Sequence, residues 1–148
     1  MNELRTILLA EDNQKDVELT LEAMAENNLA NQVVVVKDGV EVLEYLRYEG
    51  KYKLRKAGNP AVILLDIKMP RMDGIEVLRN IRSDVALKRI PVVMLTSSCE
   101  EKDLINTYDL GVNAYVVKPV SFQQFIEAVK QIGSFWAVIN ELPPEVGL

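Results

Sequence analysis

Apolar positions in this chain fall into two alternating patterns. Short runs rich in branched aliphatic residues recur at Ile7 to Ala10, Val33 to Val36, Ala61 to Leu65, Pro91 to Leu95 and Ala114 to Val117. Each is followed by a longer segment, most with apolar residues at helical spacing: Val17, Leu21 and Met24; Val42, Leu43 and Leu46; Ile75, Leu78 and Ile81; and Phe122, Phe125, Ile126, Val129 and Ile132. A strand that is apolar at successive positions is apolar on both faces, and such strands are normally covered on both faces. That arrangement means parallel strands joined by crossover helices. Five strand-helix units in succession predict one doubly wound α/β domain spanning residues 1–148.

The punctuation agrees with this division. Asn13 is placed to cap the first helix, and Asp38-Gly39, Gly50, Gly58-Asn59-Pro60, Asp73-Gly74, Gly111 and Ser121 mark boundaries. The stretch from Tyr48 to Pro60 exceeds a minimal connection, and loops of that size are often functional or mobile. The last helical pattern continues through Phe135, Trp136, Val138 and Ile139 until Pro143-Pro144 stops it, so residues 133–148 are expected to form a helical extension or tail. Val129, Ile132, Trp136 and Ile139 form one apolar stripe, and Phe135, Val138 and Leu142 another. A helix apolar on more than one side of a small domain predicts an interface, and a homodimer through this helix and tail is expected.

Composition narrows the chemistry. With 49% hydrophobic and 26% charged residues the chain belongs to the ordinary folded class. It contains no histidine, which removes His-based triads, histidine general bases and His-ligated zinc or iron sites. Its one cysteine, Cys99, cannot make an internal disulfide or a multi-cysteine metal site, so a reducing, cytoplasmic setting is expected. A formal net charge of −5 argues against non-specific nucleic-acid binding. The longest basic cluster, Lys51, Lys53, Arg55 and Lys56, reads as a solvated loop. No apolar stretch approaches the roughly 20 residues that span a bilayer, and the N-terminus lacks the apolar core of a secretory signal.

In open α/β sheets ligands bind at the carboxyl ends of the strands. Those ends carry Glu11 and Asp12, Asp66, Thr96 with Ser97 and Ser98, and Lys118-Pro119. Three carboxylates, a hydroxyl and an ammonium are thus expected on one rim. Carboxylates that close repel one another unless a cation lies among them, and carboxylate and carbonyl oxygens in a shallow, hydrated site suit Mg²⁺. One carboxylate could then attack phosphorus while Thr96 and Lys118 meet the oxygens of the transferred group. Asp66 is the best nucleophile, since it ends the most apolar run, Val62-Ile63-Leu64-Leu65, which should be central. Taken singly, each residue is more simply a helix cap or a solvent-facing side chain. The combination at successive strand ends carries the inference.

Together, Leu8-Leu9-Ala10-Glu11-Asp12-Asn13, Leu65-Asp66-Ile67-Lys68-Met69-Pro70-Arg71-Met72-Asp73-Gly74, Met94-Leu95-Thr96-Ser97 and Tyr115-Val116-Val117-Lys118-Pro119 resemble the receiver domain of two-component response regulators. The resemblance runs from Arg5 to about Ile132. It implies a flavodoxin-like sheet of order 2-1-3-4-5 with five helices. It further implies that Asp66 accepts a phosphoryl group from a histidine kinase, and that Asp12, Glu11, Asp66 and the carbonyl of Lys68 serve Mg²⁺. Thr96 and Lys118 would contact the phosphoryl oxygens, and Lys118-Pro119 would be cis. By the same resemblance Thr96 moves toward the site on phosphorylation and Tyr115 turns inward, altering the surface of the fourth helix, fifth strand and fifth helix. The resemblance also implies that Lys68 and Ser98 stand at positions beside the site that vary within that family.

The long loop and the tail further resemble the single-domain response regulators of phytochrome-type histidine kinases. A non-enzymatic signalling role follows from the resemblance. Three alternatives compete with it. A phosphorylation-independent adaptor would keep the same motifs unused. A haloacid-dehalogenase-type phosphotransferase would place an acid where Lys68 stands, and a flavin-binding protein would not place Glu11 and Asp12 beside a phosphate.

Overall fold

The computed structural model describes residues 6–26, 29, 32–56, 58–97, 112 and 114–131. Within them the chain runs β1 (Ile7–Ala10), α1 (Gln14–Ala25), β2 (Val33–Val36), α2 (Gly39–Arg47), a 3₁₀ turn (Gly50–Tyr52), β3 (Val62–Asp66), α3 (Gly74–Ser83), β4 (Val92–Thr96), β5 (Tyr115–Val117) and α4 (Phe122–Gln131). All strand pairs are parallel, in the order 2-1-3-4-5. The expected topology is therefore present. Four α-helices occur among the described residues. The further helix expected between β4 and β5 falls in 98–111, outside them, as does the tail 133–148 with the expected dimer surface.

Alternation along the strands sorts the core into two layers. Ile7 and Leu9 of β1 and Val62 and Leu64 of β3 meet Val17 and Met24 of α1 and Phe125 and Val129 of α4. On the opposite face Leu8, Ala10, Ile63 and Leu65 meet Val42 and Leu46 of α2 and Leu78 and Ile81 of α3. Covering on both faces is why these strands carry no polar alternation. β3 lies at the centre of the sheet, as its composition implied.

Each helix among the described residues starts at a side-chain cap. Asn13, Asp38 and Asp73 accept from the backbone N–H three residues on, at 3.0, 2.8 and 2.9 Å, and the Ser121 hydroxyl accepts from Gln124 N–H at 3.1 Å. Such caps contribute about 1 kcal/mol each.

The connection from Tyr48 to Pro60 is better anchored than a solvated loop. The Arg55 guanidinium lies 4.0 Å from the ring centres of both Tyr45 and Tyr48 and donates to the carbonyls of Tyr45, Lys56 and Gly58. Lys51 pairs with the Glu41 carboxylate at 3.0 Å, and Tyr52 donates its hydroxyl to the same carboxylate at 2.6 Å. Two members of the basic cluster are thus spent on cation-π and ionic contacts that hold the loop along α2.

Candidate functional site

Because the strands are parallel, their carboxyl ends share one edge, and the edge receives the groups expected there. Asp66 and Thr96 are the last residues of β3 and β4, one position further into the ladder than the apolar runs indicated, since Asp66 still pairs with Leu95 and Thr96 with Val117. Glu11 continues the ladder by donating its N–H to the Val36 carbonyl at 3.0 Å. Glu11, Asp66 and Thr96 are 1%, 5% and 1% exposed, which makes them core residues carrying polar chemistry. Asp12 is exposed.

Close backbone packing shapes the floor. A Cβ on Gly74 would run into the Asp66 carbonyl oxygen, and a Cβ on Gly39 into that of Met72. Glycine lets α3 begin directly against the end of β3, with Gly74 N–H donating to the Ile67 carbonyl at 2.7 Å. The intervening loop turns at Arg71, whose φ is 66°, and the Arg71 guanidinium pairs with Asp38 at 2.9 Å. Lys68 lies in this loop, two residues past Asp66, with its side chain exposed.

Lys118 reaches into the acids from the end of β5. Its N–H donates to the Thr96 carbonyl at 2.8 Å, and the Lys118-Pro119 bond is cis. Its ammonium lies 3.0 Å from Glu11 Oε1, 3.1 Å from Asp66 Oδ1 and 3.3 Å from Asp16 Oδ2. Asp16 was not among the expected site residues. From sequence it is a first-turn acid in α1, a place where acids are common for the helix dipole alone. Its position one helical turn beyond Asp12 is the one signal that could have suggested it.

Burial dominates the electrostatics. It pushes the Glu11 carboxyl up to about 7, against the pull of Lys118 and with a further push from the Asp66 charge. The Asp66 carboxyl is raised for the same reason and held back by Lys118 and by the Ile67 N–H, which donates to Oδ1 at 2.9 Å. Burial alone would lower Lys118; the Glu11 and Asp66 carboxylates beside it outweigh burial and hold the ammonium above its ordinary range. Mutual repulsion among the acids is thus the smaller effect. Withdrawal from water is the larger one.

Carboxylate oxygens of Glu11, Asp12 and Asp66 all lie within 4.8 Å of one another. An all-oxygen donor set of that span fits a hard divalent cation such as Mg²⁺. Beside it, the Thr96 hydroxyl is buried without a hydrogen-bond partner among the described residues, a costly arrangement in a core. Tyr115 is half-buried on β5, in register with Met94, and by the two-residue alternation of β4 it shares a sheet face with Thr96. Ser98 and Cys99 lie outside the described residues. No helix among the described residues is long and apolar enough to cross a membrane.

Comparison with known proteins agrees with this geometry. The chain is 37% identical over 142 residues to the response regulator Rcp1 of Synechocystis sp. (strain ATCC 27184 / PCC 6803 / Kazusa), covering 96% of this chain and 95% of that protein. A crystal structure of the Mn(2+)-bound form of Rcp1 superposes with a TM-score of 0.70, covering 94% of this chain and 99% of that one. The bacteriophytochrome response regulator RtBRR is 56% identical, with a TM-score of 0.85 over 96% of this chain and 86% of that one. The phosphorylated cyanobacterial phytochrome response regulator RcpA is 45% identical, with a TM-score of 0.72 over 95% of this chain and 99% of that one. The response regulator receiver domain model matches residues 7–130, and with the sheet order and the acidic rim already in place, the chain belongs to that family.

Proposed function

We propose that this chain is a phosphoacceptor of a phytochrome-type two-component system, in which Asp66 receives a phosphoryl group from a histidine kinase. The observation that carries the reading is the meeting of the Glu11, Asp12 and Asp66 carboxylates within 4.8 Å, with the Lys118 ammonium 3.1 Å from Asp66. An Asp66 oxygen attacks phosphorus as the P–N bond of the phosphohistidine breaks, and the leaving imidazole nitrogen keeps the electron pair and takes a proton from solvent. Lys118 and the unpartnered Thr96 hydroxyl would meet the phosphoryl oxygens. Glu11, Asp12 and Asp66, with the Lys68 carbonyl, would hold Mg²⁺, which when bound offsets the negative charge gathered at the rim. The manganese-bound Rcp1 and phosphorylated RcpA structures support both halves of this assignment.

Output would pass through Thr96 and Tyr115 to the neighbouring groove, which Tyr115, Val117, Gln124 and Glu127 line. In this reading the chain acts by contact and does not turn over a substrate. It works in the cytoplasm, and pairs through the C-terminal helix and tail. The test is phosphorylation by acetyl phosphate with and without Mg²⁺, read by intact mass. A single Mg²⁺-dependent addition, lost in Asp66→Asn, is expected; a wild type that takes no phosphate from acetyl phosphate or from a kinase would leave the adaptor reading in its place.

A further inference from the structure

Outside the residues already given roles, Asp16 makes a contact with the reacting centre that the receiver motifs do not include. An ammonium has three N–H donors, and Lys118 faces three carboxylates, those of Glu11, Asp66 and Asp16. Among the described residues only its contact with Asp16 Oδ2 has hydrogen-bond geometry, while Glu11 Oε1 is left without a hydrogen-bond partner, so Asp16 holds a directed donor of Lys118 before any phosphoryl oxygen arrives. For Lys118 to turn that donor to the oxygen, its hydrogen bond to Asp16 must break. Glu11 and Asp66 are held in place, with side chains 1% and 7% exposed and backbone N–H groups donating to them. Asp16 differs on each count. Its side chain is 31% exposed, its contact is the longest of the three, and water can take over its oxygen when the lysine leaves.

We propose that Asp16 is a positioning residue that occupies one donor of Lys118 in the resting site and surrenders it to the incoming phosphoryl group. The role rests on the receiver chemistry proposed above. It makes Asp16 a competitor of the phosphoryl oxygens for Lys118, and so a setting for how readily the site accepts and holds the group. Helix α1 supplies the geometry: Asn13 caps it through the Asp16 N–H at 3.0 Å, and the Asp16 carbonyl accepts from the Thr20 hydroxyl at 2.9 Å, so the first turn carrying the carboxylate is fixed.

The sign of the effect separates this role from a structural one. Removing a first-turn acid weakens a helix start and would loosen the site. Removing a competitor tightens it. The experiment titrates full-length protein at saturating Mg²⁺ with beryllofluoride, a tetrahedral mimic of the phosphoryl group, and follows acetyl phosphate modification in parallel. Asp16→Asn and Asp16→Ala should lower the half-saturating concentration by about three- to five-fold, the size expected for a partly exposed ion pair. Asp16→Glu should stay near wild type. Glu18→Gln removes the same charge from the same helix at a side chain bonded to Gln14, and should also leave binding unchanged. Unchanged or weaker binding in Asp16→Asn, or equal tightening in Glu18→Gln, overturns the role of Asp16 alone. A wild type that binds no beryllofluoride with Mg²⁺ overturns the receiver chemistry, and this role with it.

Discussion

Thr96 shows what a buried hydroxyl costs in the resting fold. Its hydroxyl is buried at the end of β4 with no hydrogen-bond partner among the described residues, where an apolar group of the same shape would be at ease. Thr96→Val keeps the β-branched shape and removes only the orphaned oxygen. We expect its unfolding free energy in urea to equal or exceed that of wild type, by up to about 1 kcal/mol, because no hydrogen bond is lost. Acetyl phosphate modification should fall at least ten-fold in the same variant. A loss of more than about 1 kcal/mol would mean that the hydroxyl has a partner in the resting fold and a structural duty to it. The residue scale is also where sequence reading was strongest and weakest. Glu11, Asp12, Asp66, Thr96 and Lys118 were legible because parallel topology sends every strand end to one rim. Asp16 was not, because its partner lies 102 residues away and its own position explains an acid without one.

At the scale of elements, the caps and strands followed from local pattern, whereas the clasp on the Tyr48 to Pro60 connection did not. Irregular chain has no period, so nothing in the order of residues announces that Arg55 will lie between two tyrosines or that Tyr52 will fold back on Glu41. The Glu41 carboxylate joins the start of α2 to the 3₁₀ turn, accepting from the Tyr52 hydroxyl at 2.6 Å, the Lys37 N–H at 2.9 Å and the Lys51 ammonium at 3.0 Å. Burial opposes its ionisation, but these donors prevail and hold its carboxyl below the ordinary value of 4.5. A carboxyl depressed in the folded state stabilises above its unfolded pKa, and that stability is lost as pH falls through the folded pKa. Wild type should therefore be more stable than Glu41→Gln at pH 7, by roughly 1 kcal/mol for one charge-assisted network. The gap should narrow as pH falls below 4.5 and close at the acid end, measured by urea unfolding across that range. A gap independent of pH would show that Gln fails on shape rather than on charge.

At the scale of the whole molecule, the fold concentrates its unfavourable terms at one edge. Two apolar layers cover the sheet, while the rim buries Glu11 and Asp66 around a single lysine and leaves Thr96 unpaired. Such a site is stabilised by whatever cation it is built to hold. A ligand that binds the folded state alone adds RT ln(1 + [L]/Kd), about 2.7 kcal/mol at 100 times Kd. For a domain of this size that corresponds to an increase in Tm of roughly 5 to 10 °C. Mg²⁺ added at constant ionic strength should raise Tm by this order and saturate. Asp12→Asn should remove most of the rise: Asp12 is the exposed member of the acidic trio and makes no contact with Lys118, so its loss withdraws a cation ligand while leaving the buried pairs intact. Sodium at equal ionic strength should reproduce little of it, because screening acts on exposed charges and reaches the buried pairs weakly. If Mg²⁺ leaves Tm unchanged in wild type up to tens of millimolar, Lys118 already satisfies the rim, and the acids serve the lysine rather than a metal.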